Sequence, residues 1–170
     1  SLPQNIDSYF LFLQNFSNPH PNFFTEAWSL SVEEYAYLLV PLTLYFCLSF
    51  FKNTDRNKLF LYVTVILILV FLGIKINYFY TAHINTYTEW SASFRKVVVY
   101  RMDAIYVGFL VIYFIKKNIN FFEKFKNAIA FKGILMFFSL HIIIYLLNLT
   151  PESYRFFYVF VYLQVITVNL

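Results

Sequence analysis

Four stretches of this chain, 35–51, 59–74, 133–151 and 156–170, contain no Asp, Glu, Lys or Arg and consist mostly of Leu, Ile, Val, Phe and Tyr. A fifth, 97–115, carries only Arg101 and Asp103 near its start and is apolar from Ala104 onward. About 20 helical residues cross a hydrocarbon layer of about 30 Å, so these runs match or approach the length of membrane helices. Lipid offers the backbone no hydrogen-bond partners, and the runs must therefore be helical despite their many β-branched and aromatic residues. The expected fold is an all-α, polytopic transmembrane helix bundle. It has about five membrane helices, at about 31–51, 58–76, 97–116, 132–150 and 154–170, after an outer loop over 1–30.

Composition excludes the soluble classes. The hydrophobic fraction is 60% and the charged fraction 13%, against about 45–50% and about 25% in soluble chains. With only three Gly and five Pro the chain is neither collagen-like nor a linker. The single cysteine, Cys47, rules out a disulfide framework and a multi-cysteine metal site, so no metal is expected. No repeat or linker divides the chain, which reads as one domain. It starts at Ser1 without a signal peptide, and its last apolar run stops before a charged flank. Both features suggest an internal piece of a larger membrane domain.

The basic residues predict orientation. Lys52, Arg56, Lys58, Lys116, Lys117, Lys124, Lys126 and Lys132 fall in 52–58 and 116–132, while Lys75, Arg95, Lys96, Arg101 and Arg155 fall on the opposite side. By the positive-inside tendency the first group is cytoplasmic, and the N-terminal segment, the polar loop at about 77–96 and the 150–155 turn face outward. The net charge of +4 then expresses topology, and no nucleic-acid partner is implied. Membrane lipid is the expected surrounding, and a basic loop that binds anionic lipid fits the same pattern.

Chemistry concentrates in 23–37, FFTEAWSLSVEEYAY. Ser31 followed by Glu34 has the spacing of a capping box and predicts a helix start. Glu33 is then left over, and it shares a helix face with Tyr37 four residues on. It either complements the positive end of the helix dipole or serves a site, with Trp28 either in an interfacial aromatic belt or part of that site. Pro41 predicts a bend one turn further on. Arg101 and Asp103, two apart, point about 200° away from each other on a helix and should find separate partners. They lie either just outside the hydrocarbon or toward a polar bundle interior. Gly108 would let a neighbour approach closely. His20 and His83 read as loop residues, His141 as a packing histidine, and Cys47 as a small core residue. No hydrolase triad order, zinc-binding HExxH or phosphate-binding glycine loop occurs.

Trp28-Ser29-Leu30-Ser31-Val32-Glu33-Glu34, followed by Tyr37, Leu38, Leu39 and Pro41, resembles the WSLxxEE-x-FYLLxP signature of the acyltransferase-3 family, membrane-bound bacterial O-acyltransferases that modify surface carbohydrates. Leu11-Phe12-Leu13-Gln14-Asn15 looks like the stretch that precedes that signature, and Arg101-Met102-Asp103-Ala104 with Gly108 is similar to the family's later R-x-D-A-xxx-G element. The resemblance implies transfer of an acyl group, usually acetyl, from acyl-CoA (acetyl-CoA) to a carbohydrate hydroxyl at the outer side of the bacterial cytoplasmic membrane. It makes 1–170 a partial membrane acyltransferase domain, whose catalytic histidine and an accompanying basic residue belong to an earlier helix. It places Glu33 at the motif's principal Glu, a catalytic role, and Trp28, Tyr37, Arg101 and Asp103 around the substrate. Ala36 stands where the family has Phe or Tyr. Without that histidine the stretch is expected to be inactive alone. Two other classes also fit: a polytopic transporter or flippase for a polar lipid or saccharide, and a membrane anchor.

Overall fold

The computed structural model describes residues 7–19, 27–162 and 164–165, and the regular structure among them is all helical, with no strand. The order is α1 (Asp7–Phe10), α2 (Ala27–Phe50), α3 (Arg56–Thr81), α4 (Tyr87–Trp90), a π-helical turn (Ser91–Arg95), a 3-10 turn (Val98–Tyr100), α5 (Met102–Lys117), α6 (Ile119–Leu146) and a second π-helical turn (Phe157–Tyr162). Two helices, α3 with 26 residues and α6 with 28, are long and apolar enough to cross a membrane.

Packing follows a spacing of four, which returns a side chain to within about 40° of the same helix face. On α2 this stripe is Val32, Ala36 and Val40, and on α3 it is Leu59, Val63, Phe71 and Lys75. The α2 stripe and Phe71 of α3 meet Val97, Val98, Val99, Met102 and Tyr106 in one core. α3 packs chiefly on α5, and α2 lies against both. A second core joins Ile84, Trp90 and Phe94 to Tyr158, Val159 and Tyr162. α6 buries none of its residues.

Several boundaries differ from expectation. α2 begins by Ala27, so Ser31 sits one turn inside it, where its hydroxyl donates to the Ala27 carbonyl at 3.2 Å. Ser31 and Glu34 therefore form no capping box. The T-x-x-E pattern at Thr86–Glu89 does form one: Thr86 Oγ1 accepts from Glu89 N–H at 3.2 Å, and the Glu89 carboxylate accepts from Thr86 N–H at 3.3 Å. α3 runs past 76 to Thr81, so that Lys75 lies more than a turn from its end. The polar loop expected at 77–96 is largely helical and supplies Trp90 and Phe94 to the second core. The basic segment at 116–132 is also helical, because Asn118 alone separates α5 from α6. Residues 97–101 stand outside α5, which begins at Met102. The outer loop expected over 1–30 contains α1 and the buried Gln14 and Asn15. α2 continues through Pro41. Methyl-sized space at Gly108 is empty to 4 Å, so no close approach occurs there among the described residues. His20 and the end of the last expected helix, 166–170, lie outside the described residues.

Candidate functional site

A cavity of about 210 Å³ lies between the N-terminal half of α2 and the start of α5, lined by Trp28, Ser29, Val32, Glu33, Ala36, Tyr37, Arg101 and Ile105. Four of the five site residues expected from sequence meet here: Trp28, Glu33, Tyr37 and Arg101. Glu33 and Tyr37 are four apart on an exposed face of α2, beside the buried stripe. Glu33 is the one carboxylate in the wall among the described residues.

Arg101 is the group whose surroundings ask most for a ligand. It is 2% exposed, yet its Nε and Nη1 find no hydrogen-bond partner among the described residues. A buried donor left unpaired is costly, and a charged one more so. Its guanidinium carbon stands 5.2 Å from the centre of the Trp28 ring, and that of Arg95 stands 5.4 Å from the same ring. Such cation–π contacts contribute roughly 0.5–2 kcal/mol each. Arg95 is held separately, its Nε donating to Ser91 Oγ at 3.1 Å across the π-helical turn. Two guanidiniums thus converge on the Trp28 ring beside the cavity.

The 11–16 segment fixes Trp28 against this end. Gln14 Nε2 donates to Ser31 Oγ at 2.7 Å, and Asn15 Nδ2 donates to the carbonyls of Lys96, at 2.7 Å, and Trp28, at 3.3 Å. In return Val98 N–H donates to the Asn15 carbonyl at 3.0 Å, and Val99 N–H to that of Phe16 at 3.2 Å. Gln14 and Asn15 are thus a strut between the starts of α2 and α5, a role their short, apolar surroundings in sequence did not signal.

Asp103 stands apart from the cavity. Its Oδ2 accepts from Lys75 Nζ and from Gln164 Nε2, each at 2.6 Å. Lys75 and Asp103 side chains are 0% and 2% exposed, a fully buried ion pair joining α3 to α5. Of the two expected polar partnerships the structure shows that of Asp103, which acts on the helix packing, while Arg101 meets the Trp28 ring. Lys75 was the missing partner: the sequence placed it at the outer end of its helix as a basic residue of the outer side, although it continues the spacing of four through Leu59, Val63 and Phe71.

The described histidines lie elsewhere. His83 is exposed, and His141 Nδ1 is 2.8 Å from the Phe137 carbonyl with its ring packed 4.3 Å from the Phe137 ring. No protein-family model, curated protein or solved structure matches the chain.

Proposed function

We propose that this chain carries the acceptor site of a membrane-bound O-acyltransferase, which moves an acyl group, usually acetyl, from acyl-CoA to a hydroxyl of a cell-surface carbohydrate in the bacterial cytoplasmic membrane. The observation that carries this reading is the convergence of Trp28, Glu33, Tyr37 and Arg101 on one cavity, with Arg101 buried and its Nε and Nη1 unpartnered among the described residues. In the transfer the acceptor hydroxyl oxygen attacks the thioester carbonyl, its proton passes to a base, and the CoA thiolate leaves and is reprotonated. A hydroxyl is a poor nucleophile at neutral pH, so the base must stand within hydrogen-bond reach. The family resemblance assigns that base to a histidine outside this chain. Glu33 then orients the imidazole or holds the acceptor hydroxyl, as the third member of a hydrolase triad orients its base. Trp28 and Tyr37 supply the aromatic wall, and Arg101 grips a carboxylate of an acidic sugar in two-pronged fashion.

In the same reading five segments cross the membrane: α2, α3, α5, the second half of α6 and the chain from about 154 onward. α2 and α5 run inward and α3 outward, which puts the Trp28 cavity at the outer end, where the acceptor is. A cysteine introduced at Asn53 or Asn118 in a Cys47→Ala background should react with a membrane-impermeant maleimide only after permeabilisation. Labelling of intact cells at either position would reverse the orientation.

The test of the site is Glu33→Gln in the intact protein, expected to lower acyl transfer about 10-fold or more, on the order of 1.4 kcal/mol, at unchanged membrane abundance. Glu34→Gln should cost far less, because Glu34 is exposed and outside the cavity wall. Equal losses from both would mean that Glu33 serves the fold of this end of α2 and no reaction. A second reading, a transporter or flippase, is favoured by the buried Lys75–Asp103 pair, since ionisable groups at membrane depth often line a substrate path. Labelled acetate recovered in covalent linkage to the saccharide supports the enzyme, and passage of unmodified saccharide supports the transporter.

A further inference from the structure

A second and larger cavity, of about 730 Å³, opens at the opposite end of the bundle, between the C-terminal turns of α2 and α5 and the first turn of α3. Its wall is apolar, with Leu44, Leu48, Phe60 and Ile112 among the lining residues. Its rim is strongly basic. Arg56, Lys58, Lys116 and Lys117 stand there against one carboxylate among the described residues, that of Asp55, which already accepts the N–H of Asn57 at 3.0 Å as the cap of α3. None of the four cations forms an ion pair among the described residues. The first turn of α3 adds the positive end of its dipole and holds no acidic residue.

We propose that this cavity binds an anionic phospholipid of the cytoplasmic leaflet, with the phosphate held by the four cations and an acyl chain lying along Leu48, Phe60 and Ile112. Charge complementarity selects the headgroup, since four cations and one occupied carboxylate leave the rim needing an anion. The apolar wall selects a lipid over a soluble phosphate ester, which would use the rim and leave the wall wet. The location agrees: long basic side chains at the ends of membrane helices reach toward the headgroup layer while their stems stay among apolar groups. The site is separate from the Trp28 cavity, and its test requires no acyl transfer.

The experiment is native mass spectrometry of the intact protein in neutral detergent, titrated with phosphatidylglycerol and, in parallel, with phosphatidylcholine. Wild-type protein should retain phosphatidylglycerol in preference to phosphatidylcholine. Lys116→Gln with Lys117→Gln should weaken phosphatidylglycerol binding about 25-fold, from roughly fivefold per cation near an anionic headgroup. Lys124→Gln with Lys126→Gln removes the same charge from α6, outside the cavity, and should change binding less than about twofold. Leu48→Trp, which fills the wall and leaves every charge in place, should also weaken it. Undiminished binding in the Lys116/Lys117 variant, or equal loss in the α6 control, overturns the proposal. Displacement of phosphatidylglycerol by free CoA at lower concentration than the lipid also overturns it and assigns the cavity to a soluble phosphate ligand.

Discussion

Replacing Lys75 by methionine is expected to destabilise the fold by about 3–5 kcal/mol, because it leaves the Asp103 charge buried with no counter-ion. The two side chains are 0% and 2% exposed, with Nζ 2.6 Å from Oδ2, and Gln164 can only partly compensate through its neutral donor to the same oxygen. Lys75 and methionine are similar in length and flexibility, so the loss measures the charge and little of the packing. The companion variant is decisive. Lys75→Met combined with Asp103→Leu removes both desolvation costs together with the attraction, and buried pairs replaced in this way often lose little or even gain stability. The double variant should therefore recover most of the thermal midpoint of the purified protein. A Lys75→Met protein as stable as wild type would show that the pair is dispensable. A double variant no better than the single would place the loss in packing.

The helical class was legible because it follows from solvent alone: uncharged runs too long for turns, in a chain with few glycines, have one way to satisfy their amides in lipid. The helix ends were not legible, because what sets them is tertiary. Ser31 carries the local signature of a cap, but Gln14 from a distant segment takes its hydroxyl as acceptor and α2 extends a turn earlier. Lys75 looks like a boundary charge, but Asp103 across the interface neutralises it, and α3 continues to Thr81. Lys124, Lys126 and Lys132 read as a loop, yet Lys, Glu and Phe at the surface of a helix meet no penalty, and Lys126 pairs with Glu123 one turn back at 2.9 Å. An apolar pattern shows where burial is possible. It does not show which charge has a partner in another helix.

The site was more legible than the helix ends. Glu33 and Tyr37 share a face because four residues nearly complete a turn, and that relation needs no tertiary knowledge. Arg101 meets Trp28 across 73 positions only through the Gln14 and Asn15 strut and the tight 97–101 turn, neither of which has a local signal. The separation of Arg101 from Asp103 followed from their spacing, although Arg101 sits at the cap position of α5 and not within it. Four lining residues were thus named from motif and periodicity. The strut and the buried lysine were not, because amide side chains and a lone cation show their roles only beside the groups they bind.

Arg101→Lys in the intact protein is expected to lower kcat/KM for an acidic saccharide acceptor about 10- to 100-fold. The basis is the state of the guanidinium: 2% exposed, 5.2 Å from the Trp28 ring centre, with Nε and Nη1 unpartnered among the described residues, on a side chain that lines the cavity. Lysine keeps the charge and loses the planar fork, and with it one of two hydrogen bonds to a carboxylate. A hydrogen bond to a charged group contributes about 1.5–3 kcal/mol, and each 1.4 kcal/mol is about tenfold in rate. Thermal stability should change little, because among the described residues no hydrogen bond from Nε or Nη1 is broken. Arg95→Lys should cost less, since Arg95 is committed to Ser91 and lies outside the cavity wall. The acceptor itself separates the two anions that Arg101 might grip. If it holds the acceptor's carboxylate, the loss shrinks when a neutral saccharide replaces the acidic one, whereas a contact with a CoA phosphate leaves the loss the same for both. Full activity in Arg101→Lys, or losses of equal size in Arg95→Lys, would remove Arg101 from the acceptor site.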